Sequence, residues 1–379
     1  MFICLNALMV LIFLKKLDIT LLTAVVILIL LGLIIIYSTS YNSTGTDFLN
    51  FRKQAIFSVV GFVLMIGVSL FDYRALKSWT GIFYVLVCFI LAAVLFFGTS
   101  IRGTTSWFDF GFFNVQPSEF VKIIMIIILA KYLAEAKNYL NDLKKIIVSG
   151  IYISLPTILI ILQPDFGSAL VLLFIWIAMV FMTGTKMKYM AMIFIFGMVS
   201  FAGCWLYVFE DYQKNRIATF INPQSDLLGS GYNVNQSIIA VGSGNIWGKG
   251  LGHGSQSQLN FLPEKHTDFI FAVLAEEMGF IGVFLILGLF AILFYRLFKI
   301  AFETQDNFGK LLVLGVAFTL IFHITINVGM NVGVMPVTGI PLPFISYGGS
   351  SLISFLIMIG IVLNVYVKGR GYRIEKEED

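Results

Sequence analysis

The sequence predicts an all-α polytopic membrane protein with about ten transmembrane helices, and three observations support that fold class. Of the 379 residues, 59% are hydrophobic and only 12% are charged, whereas a soluble domain carries about a quarter charged residues. Long apolar segments recur along the chain, and lysine and arginine collect in alternate loops between them. Since unpaired backbone groups cannot face lipid, each spanning segment is expected to form a helix.

Ten apolar segments approach or exceed the length needed to cross a hydrocarbon core of about 30 Å. They are 19–37, 55–71, 80–98, 118–134, 146–162, 167–183, 189–209, 268–295, 311–334 and 345–367. The expected transmembrane domain is therefore 19–367, followed by a charged cytoplasmic tail at 368–379. The segment 1–18 is apolar and then basic, too short to span, and lacks the layout of a signal peptide. An interfacial helix and an upstream translation start both stay open for it.

The positive-inside rule orients the chain, since cytoplasmic loops carry the excess of lysine and arginine. With the N-terminus inside, basic residues concentrate in the inner loops, and both termini are expected to be cytoplasmic. The outer loops are then 99–117, 163–166, 210–267 and 335–344, of which 210–267, between the seventh and eighth spans, is the largest. The last of them is rich in proline and glycine, so we expect a short re-entrant outer loop before the tenth span.

Asp268 stands at the mouth of the eighth span, after a glycine-rich approach and the cluster Glu264, Lys265 and His266. One interpretation is a helix cap supplied by Thr267 or Asp268, whose side-chain oxygens could bind free amides. The other is a general base at the membrane surface, because partial burial raises the pKa of a carboxyl group. The charged neighbours favour the general base, since a helix-capping residue does not require charged residues beside it.

Two pairs of charged residues lie within predicted spans, where ionisable groups usually mark functional sites. Glu276 follows Asp268 by about two helical turns and could line the same cavity wall. Glu277 faces nearly the opposite side and is expected to pair with another helix. Glu119 and Lys122 lie three residues apart on one helix face and can form an ion pair, either a structural one or part of a functional site.

The outer loops carry further polar candidates. Asp165 lies in the tight turn Gln163–Gly167 between two spans, which could be no more than a polar turn. Arg102, Trp107 and Asp109 belong to the first long outer loop, on the same side. Trp107 taken alone is typical of an interfacial anchor.

Three cations lie in the largest outer loop, where the positive-inside bias disfavours them: Arg216, Lys249 and Lys265. Arginine and lysine bind phosphate well, and glycine lets backbone amides approach an anion. A lipid phosphate or pyrophosphate is therefore the expected ligand. Ordinary solvated charge is the alternative for each of them.

Several other residues carry weaker expectations. His323 and Asn327, four residues apart in the ninth span, are expected to form hydrogen bonds between helices rather than a metal site. Cys4, Cys88 and Cys204 lie in apolar runs without metal-ligand spacing, so we expect buried free thiols. The sequence contains no P-loop, dinucleotide-binding fingerprint or zinc spacing.

Six motifs occur in a fixed order along about residues 15–370. They are Arg102-Gly103 through Trp107, Gln116 to Glu119 with Lys122, Gln163 to Gly167, Asn215-Arg216, Phe261 to Phe271, and Gly339 to Ser351. This set resembles the SEDS family (shape, elongation, division and sporulation), bacterial peptidoglycan polymerases with ten membrane spans. The segments Gly339–Pro343 and Ala272–Glu277 are more similar to its elongation branch than to its division branch, and the sporulation branch stays open.

The resemblance implies polymerisation of glycan strands from lipid II at the outer leaflet of the bacterial cytoplasmic membrane. It identifies Asp268 as the catalytic carboxylate and places Glu119, Lys122, Asp165 and Arg216 around an outer cavity. With the other outer candidates, the expected substrate-binding residues are Arg102, Trp107, Glu119, Lys122, Asp165, Arg216, Lys249, Glu264, Lys265 and His266.

The resemblance also implies partners. They are a class B penicillin-binding protein that supplies transpeptidase activity, the lipids lipid II and undecaprenyl pyrophosphate, and other membrane proteins of the elongation complex. Nucleic acid is not expected. The sequence does not predict a particular cofactor. Binding of a divalent cation such as Mg²⁺ or Mn²⁺ at the leaving phosphate stays an open alternative.

Two other functions compete with polymerisation. A lipid II flippase would need a pathway open alternately to both faces, often built from repeats, and no repeat is visible in the sequence. A non-catalytic scaffold of the cell-wall synthesis complex would leave Asp268 and the charges within the spans without a purpose.

Overall fold

Long helices dominate the computed structural model, which describes residues 17–42, 45–46, 48–101, 104–111, 113–139, 142–207, 209–222, 230–259 and 261–378. The helices are α1 (Ile19–Ser40), α2 (Leu49–Leu70), α3 (Leu76–Phe97), α4 (Pro117–Tyr139), α5 (Asp142–Ile161), α6 (Phe166–Met182), α7 (Met187–Tyr207), α8 (Asp211–Ile221), α9 (Ser230–Ser243), α10 (Ser255–Gln258), α11 (Ile270–Glu303), α12 (Asn307–Asn331) and α13 (Gly349–Glu378). A short 3-10 helix, Tyr73–Ala75, precedes α3.

Each of the ten predicted spans coincides with one of the long helices, α1 to α7 and α11 to α13. Eight helices in the described ranges are long and apolar enough to cross a membrane, and α6 is a shorter apolar helix. The remaining predicted span corresponds to α4, which carries Glu119 and Lys122 within its length. The fold class is thereby confirmed as a multi-pass helical membrane protein, while the number of ten spans stays a prediction.

The helices differ greatly in the fraction of their residues that is buried against the rest of the protein. Most of α12 is buried inside the bundle, whereas almost none of α7 is. Because lipid is as apolar as a leucine side chain, exposed apolar surface on α7 is compatible with a lipid-facing helix. Cys88 and Cys204 are free thiols and half-buried rather than fully buried as expected, because each lies on an outer helix. Cys4 lies outside the described residues.

The first long outer loop contains a small antiparallel sheet that the sequence did not predict. Its strands are β3 (Thr99–Ile101), β4 (Thr104–Asp109) and β5 (Asn114–Val115), in that order. A two-stranded hairpin, β1 (Tyr41–Asn42) and β2 (Gly45–Thr46), joins α1 to α2. The three-stranded sheet fixes the position of the loop that carries Trp107 and Asp109.

The loop 210–267, the largest of those predicted to lie outside, contains α8, α9 and α10, and part of it lies against α11. Gly279 interrupts α11 with a φ of 63°, which only glycine adopts readily. The backbone amides of Lys249 and Gly250 donate to the carbonyl oxygens of Glu276 and Glu277 at 2.9 and 3.0 Å, just before the break. These bonds satisfy carbonyl groups that the interrupted helix leaves free, which attaches the loop to the outer half of α11.

Candidate active site

A cavity of about 330 Å³, called here the polar cavity, opens beside Asp268. Its charged and polar lining includes Lys53, Trp107, Asp109, Asn114, Gln116, Thr267, Asp268, Tyr347, Ser350 and Ser351. These residues come from α2, the β3–β5 sheet, the residue before α4, the segment before α11, and the turn before α13 with the first residues of that helix. A half-buried carboxylate in such a concave polar site can act as a proton acceptor, provided that a substrate hydroxyl reaches it.

Two buried asparagines of α12 hold the backbone of Asp268. The Nδ2 atoms of Asn327 and Asn331 donate to the Asp268 carbonyl oxygen at 3.1 and 3.0 Å. Asn327 Nδ2 also donates to the carbonyl oxygen of Ile340, at 2.8 Å. Both asparagine side chains are fully buried, so the position of Asp268 is fixed through its main chain.

Asn331 supplies a cap at the start of α11, for which Thr267 or Asp268 was one interpretation of the sequence. The helix α11 begins at Ile270, and Phe269 at its N-cap position has no side-chain hydrogen bond. Instead, Asn331 Oδ1 accepts from the backbone amide of Ala272 at 3.1 Å, an amide of the first helical turn that also donates to the Phe269 carbonyl oxygen at 3.1 Å. A residue distant in sequence therefore provides the cap.

Gln54 of α2 fixes the turn between α13 and the segment 335–344, which the sequence predicts to be a re-entrant loop and which keeps that name below. Its side chain is only 1% exposed. Gln54 Nε2 donates to the Ser346 carbonyl oxygen at 3.0 Å, and its Oε1 accepts from the Gly348 amide at 3.1 Å. Sequence reasoning missed Gln54, although a glutamine near the start of an apolar span is a polar group that must find a partner inside the bundle.

The same turn binds the segment that carries Asp268. Ser346 Oγ donates to the Thr267 carbonyl oxygen at 2.7 Å, and the Tyr347 amide donates to the His266 carbonyl oxygen at 2.8 Å. The His266 ring binds on its other side, with Nδ1 at 2.9 Å from Thr39 Oγ1 of α1. His266 therefore connects the segment to α1.

Gly339 forms part of the wall facing Asp268. Its φ is +74°, and a Cβ atom built there would lie 3.7 Å from Asp268 Oδ2. The neighbouring residues of the re-entrant loop, Pro341 and Gly339, both line the polar cavity. The loop predicted from the proline and glycine pattern thus supplies one wall of the cavity.

A second cavity of about 340 Å³, called here the apolar cavity, lies on the other side of this loop. Its lining is mostly aromatic and aliphatic and includes Phe166, Leu170, Phe201, Phe209, Ile217, Phe220, Pro336 and Val337. Arg216 of α8 also lines it, and its NH1 atom donates to the Val337 carbonyl oxygen at 3.4 Å. Arg216 therefore does not reach the cavity that contains Asp268.

Asp165 lies between the two cavities. It lines the apolar cavity and caps α6 by accepting from the Ser168 amide at 3.0 Å. Its other oxygen accepts from Gln116 Nε2 at 3.0 Å, and Gln116 lines the polar cavity. The alternative of a plain polar turn does not account for this link, because Gln116 precedes a different helix.

The expected ion pair of Glu119 and Lys122 is present, with Lys122 Nζ 2.7 Å from Glu119 Oε1. Both residues are buried, and neither is among the lining residues of the two cavities. Lys122 Nζ also lies 3.3 Å from His323 Nε2, and His323 Nδ1 lies 3.3 Å from the Pro341 carbonyl oxygen. The pair therefore supports the re-entrant loop from inside the bundle.

Glu276 does not line the polar cavity, contrary to expectation. Its fully buried carboxylate accepts from Lys249 Nζ at 2.8 Å and from the amides of Gln256 and Ser257 at 3.0 and 3.1 Å. The interruption of α11 and the inserted loop bring these donors to it, which the helical period could not indicate. Lys249 is consequently engaged in an ion pair rather than directed toward Asp268.

Glu277 does bind another helix, as expected. Its Oε2 accepts from Ser38 Oγ of α1 at 2.7 Å, and its Oε1 accepts from Gln258 Nε2 at 3.4 Å. Lys265 is buried nearby and donates to the Ser257 carbonyl oxygen at 2.8 Å. Burial lowers the pKa of Lys265, and the Glu277 carboxylate opposes that shift. Lys265 thus holds the loop together.

The remaining expected residues divide between the cavity and its surroundings. Trp107 lines the polar cavity together with Asp268. Glu264 is exposed, has a φ of 52°, and its Oε2 accepts from Thr267 Oγ1 at 3.1 Å. Arg102 lies outside the described residues. Of the cations in the described ranges, Lys53, which the sequence did not single out, is the one that lines the polar cavity.

The described residues do not form a cation site built by the protein. They include no group of three or more His, Cys, Asp or Glu side chains that could hold a metal ion. The carboxylates of Asp109 and Asp268 line the polar cavity, and divalent cations such as Mg²⁺ prefer several oxygen ligands. The described residues therefore do not fit a dedicated metal centre.

Comparison with known proteins shows similarity over nearly the whole chain. The model FTSW_RODA_SPOVE, described as "Cell cycle protein", matches residues 19–371. Stage V sporulation protein E of Bacillus subtilis (strain 168) is 37% identical over 356 residues, which cover 92% of this chain and 96% of that protein. Peptidoglycan glycosyltransferase MrdB of Escherichia coli (strain K12) is 35% identical over 350 residues, covering 92% and 93%. A chain from the solved structure "Structural coordination of polymerization and crosslinking by a peptidoglycan synthase complex" is 30% identical, with a TM-score of 0.76 over 92% of this chain and 97% of that one.

Proposed function

This chain belongs to the FtsW, RodA and SpoVE family of cell cycle proteins, and on that premise we propose that it is a peptidoglycan glycosyltransferase that polymerises lipid II at the outer leaflet. The name of the Escherichia coli relative supports the activity. The observation that carries the proposal is the position of Asp268, a half-buried carboxylate in a polar cavity, with its main chain bound by two buried asparagines.

The reaction is a glycosyl transfer between two lipid-linked substrates. The 4-hydroxyl of the acceptor sugar attacks the anomeric carbon of the donor N-acetylmuramic acid. A β-1,4 bond forms with inversion, and the bond from that carbon to the pyrophosphate oxygen breaks, leaving its electron pair on undecaprenyl pyrophosphate. Asp268 accepts the hydroxyl proton, a role that contributes about 10²- to 10⁴-fold to rate.

The positions of the expected substrate-binding residues suggest two kinds of role. Trp107 offers an aromatic face to a sugar in the polar cavity, while Arg216 and Asp165 border the apolar cavity, where a polyprenyl chain would find an apolar surface. The other expected residues do not contact the substrate but hold in place the elements that form the site. They are Glu119, Lys122, Lys249, Glu264, Lys265 and His266. Because these bonds are mostly buried, they keep the site in one arrangement before substrate binds.

The cellular role is elongation and shape maintenance, in the bacterial cytoplasmic membrane and with both termini cytoplasmic. The distribution of lysine and arginine supports this orientation. The partner is a class B penicillin-binding protein, since the similar solved structure is of a complex described as coordinating polymerisation and crosslinking. Expression in rod-shaped bacteria depleted of their own elongation polymerase tests the role, and restoration of sporulation alone would assign the sporulation branch instead.

The activity is tested with purified protein, its partner and lipid II. Asp268→Asn should reduce polymer formation by about 10²- to 10⁴-fold with little change in melting temperature, because asparagine has nearly the same shape as aspartate and keeps the carbonyl oxygen that Asn327 and Asn331 bind. Asp109→Asn is the matched control, since Asp109 lines the same cavity and its Oδ1 accepts from the Gly111 amide, as an asparagine oxygen also could.

Three results would contradict the proposal. Equal polymer yield from wild type and Asp268→Asn would remove Asp268 as the base. Lipid II that crosses reconstituted vesicles without any glycan product would indicate a flippase. Normal growth of cells that carry only Asp268→Ala would indicate a scaffold.

A further inference from the structure

We infer that Lys53 is the residue that binds the pyrophosphate of the lipid-linked donor during transfer. The inference rests on the proposed function and names a phosphate-binding residue for it. Lys53 was not among the cations that the sequence predicted to bind phosphate. A pyrophosphate leaving group gains negative charge as the glycosidic bond breaks, so a cation placed beside it stabilises the transition state. The position of Lys53, its lack of a hydrogen-bond or ion-pair partner among the described residues and the fixed geometry around it support this role.

Lys53 lines the polar cavity together with Asp268, at the N-terminal end of α2. The charged groups that line this cavity in the described ranges are Lys53 and the carboxylates of Asp109 and Asp268. A dianionic phosphate group entering the cavity would therefore meet two negative charges and one positive charge. Without Lys53 the repulsion from the carboxylates would be uncompensated by any described side chain.

The other candidate cations are engaged elsewhere. Lys122 and Lys249 form ion pairs with Glu119 and Glu276, respectively. Lys265 is buried and donates to a backbone carbonyl. Within the described part of the chain, the Lys53 ammonium takes part in no such hydrogen bond or ion pair, so its charge is available to a ligand.

The neighbouring residue Gln54 holds this end of α2 in place. Its buried amide group binds both Ser346 and Gly348 in the turn before α13, as described above. Lys53 is thereby kept at a defined distance from the turn that also binds the Asp268 segment through Ser346. A cation held by a rigid element stabilises developing charge without reorganisation during the reaction.

Close packing of α2 against α13 adds to this rigidity. A Cβ atom on Gly360 would lie 2.6 Å from the Met65 carbonyl oxygen, and one on Gly349 would lie 2.6 Å from the Phe57 ring. The two helix backbones are therefore as close as glycine allows at Gly360, and Gly349 leaves room for the Phe57 ring. The first turn of α13, which also borders the cavity through Ser350 and Ser351, carries the partial positive charge of a helix N-terminus, which favours a negative charge.

The experiment compares Lys53→Met, Lys53→Arg and Arg52→Met with wild type, each in complex with the partner. Arg52 is the matched control because it is an exposed cation one residue earlier on the same helix and does not line the polar cavity. With lipid II varied, Lys53→Met should lower kcat/KM by about 10- to 100-fold, and Lys53→Arg should restore most of it. Arg52→Met should stay within about twofold of wild type, since an exposed charge contributes little.

A second measurement does not depend on turnover. Binding of undecaprenyl pyrophosphate in detergent micelles is measured for Asp268→Asn and for Asp268→Asn combined with Lys53→Met. Loss of the lysine should weaken the Kd by about tenfold for the pyrophosphate lipid and change little for uncharged undecaprenol. Equal melting temperatures of the variants establish that the fold is intact, and Lys53→Arg distinguishes loss of charge from loss of packing.

The outcomes separate this inference from the proposed function. If wild type polymerises lipid II and Lys53→Met matches Arg52→Met in both kcat/KM and pyrophosphate binding, Lys53 does not bind the pyrophosphate. If wild type makes no polymer but pyrophosphate binding still depends on Lys53, the proposed function fails while the binding site stands. If Lys53→Arg is as impaired as Lys53→Met, the effect is one of shape, and the inference is wrong.

Discussion

The two cavities on either side of the re-entrant loop are nearly equal in volume, about 330 and 340 Å³, yet they are lined by opposite chemistry. Lys53, Asp109 and Asp268 line the polar cavity, while phenylalanine side chains dominate the apolar cavity. A substrate that joins a sugar to a polyprenyl chain contains both kinds of surface. Under the proposed function, the loop would separate the place of glycosyl transfer from a place for the apolar part of such a molecule.

The two cavities also differ in what holds their walls. Directional hydrogen bonds from Asn327 and Asn331 fix the Asp268 side. Ring contacts hold the apolar side, where the Phe209 ring centroid lies 4.9 Å from that of Phe166 and 5.7 Å from that of Phe201. Hydrogen bonds impose a precise geometry, whereas apolar contacts have no direction and tolerate shifts. Proton transfer needs the first property, and binding of a flexible chain needs the second.

The largest loss of stability is expected from Lys122→Met, which removes one partner of the buried ion pair beside the polar cavity. The uncompensated Glu119 carboxylate should cost about 3–5 kcal/mol, and the melting temperature in detergent should fall accordingly. Combining Lys122→Met with Glu119→Gln should recover most of the loss, because no buried charge then remains. Lys131→Met on the same helix is the control, since Lys131 donates to the neutral hydroxyl of Thr80. A variant Lys122→Met as stable as Lys131→Met would show that the pair does not support the loop.

A smaller loss is expected from Asn331→Ala, which removes the cap of α11 and one of the two donors to the Asp268 carbonyl oxygen. Leaving buried polar groups unsatisfied should cost about 1–3 kcal/mol. Both the melting temperature and the rate of polymerisation should fall, because Asp268 is positioned through that carbonyl. Stability that falls without any loss of rate would mean that Asn327 alone is enough to position Asp268.

Gly339→Ala should act mainly on the polar cavity. Its φ of +74° is unfavourable for alanine, and the added Cβ would lie 3.7 Å from Asp268 Oδ2. The backbone strain is about 1–2 kcal/mol, and a displaced wall should also slow polymerisation. Gly184→Ala, at a φ of +77° with no neighbouring atom within 4 Å, has the same strain away from both cavities. Equal rates for the two variants would disprove a role for the Gly339 wall.

The smallest effect is expected from Arg216→Gln in the apolar cavity. Its bond to the Val337 carbonyl oxygen is long, at 3.4 Å, and a partly exposed cation contributes less than about 1 kcal/mol. We expect a change in kcat/KM of no more than about fivefold, measured with lipid II. A loss as large as that of Lys53→Met would place the pyrophosphate in the apolar cavity and reverse the assignment of the two cavities.

Sequence alone determined the features that follow from local pattern. Apolar runs fixed the fold class and the positions of the long helices, because a membrane demands both length and internal hydrogen bonding. The spacing of Glu119 and Lys122 predicted their ion pair, because residues three apart share a helix face. Asp268 emerged from its charged surroundings and from the family motifs, and the structure places it in a cavity.

Tertiary structure decided which groups surround Asp268. Asn327 and Asn331 come from a different helix, and only helix packing brings them to the Asp268 segment. Gln54 comes from α2 and binds the turn whose Ser346 in turn binds that segment. The same packing turned Glu276 toward Lys249, because a glycine interrupts α11 and admits a loop that no periodic pattern reveals. The spacing of residues along a helix determines which side chains share one face of that helix. Which residues of other helices and loops contact that face depends on tertiary packing.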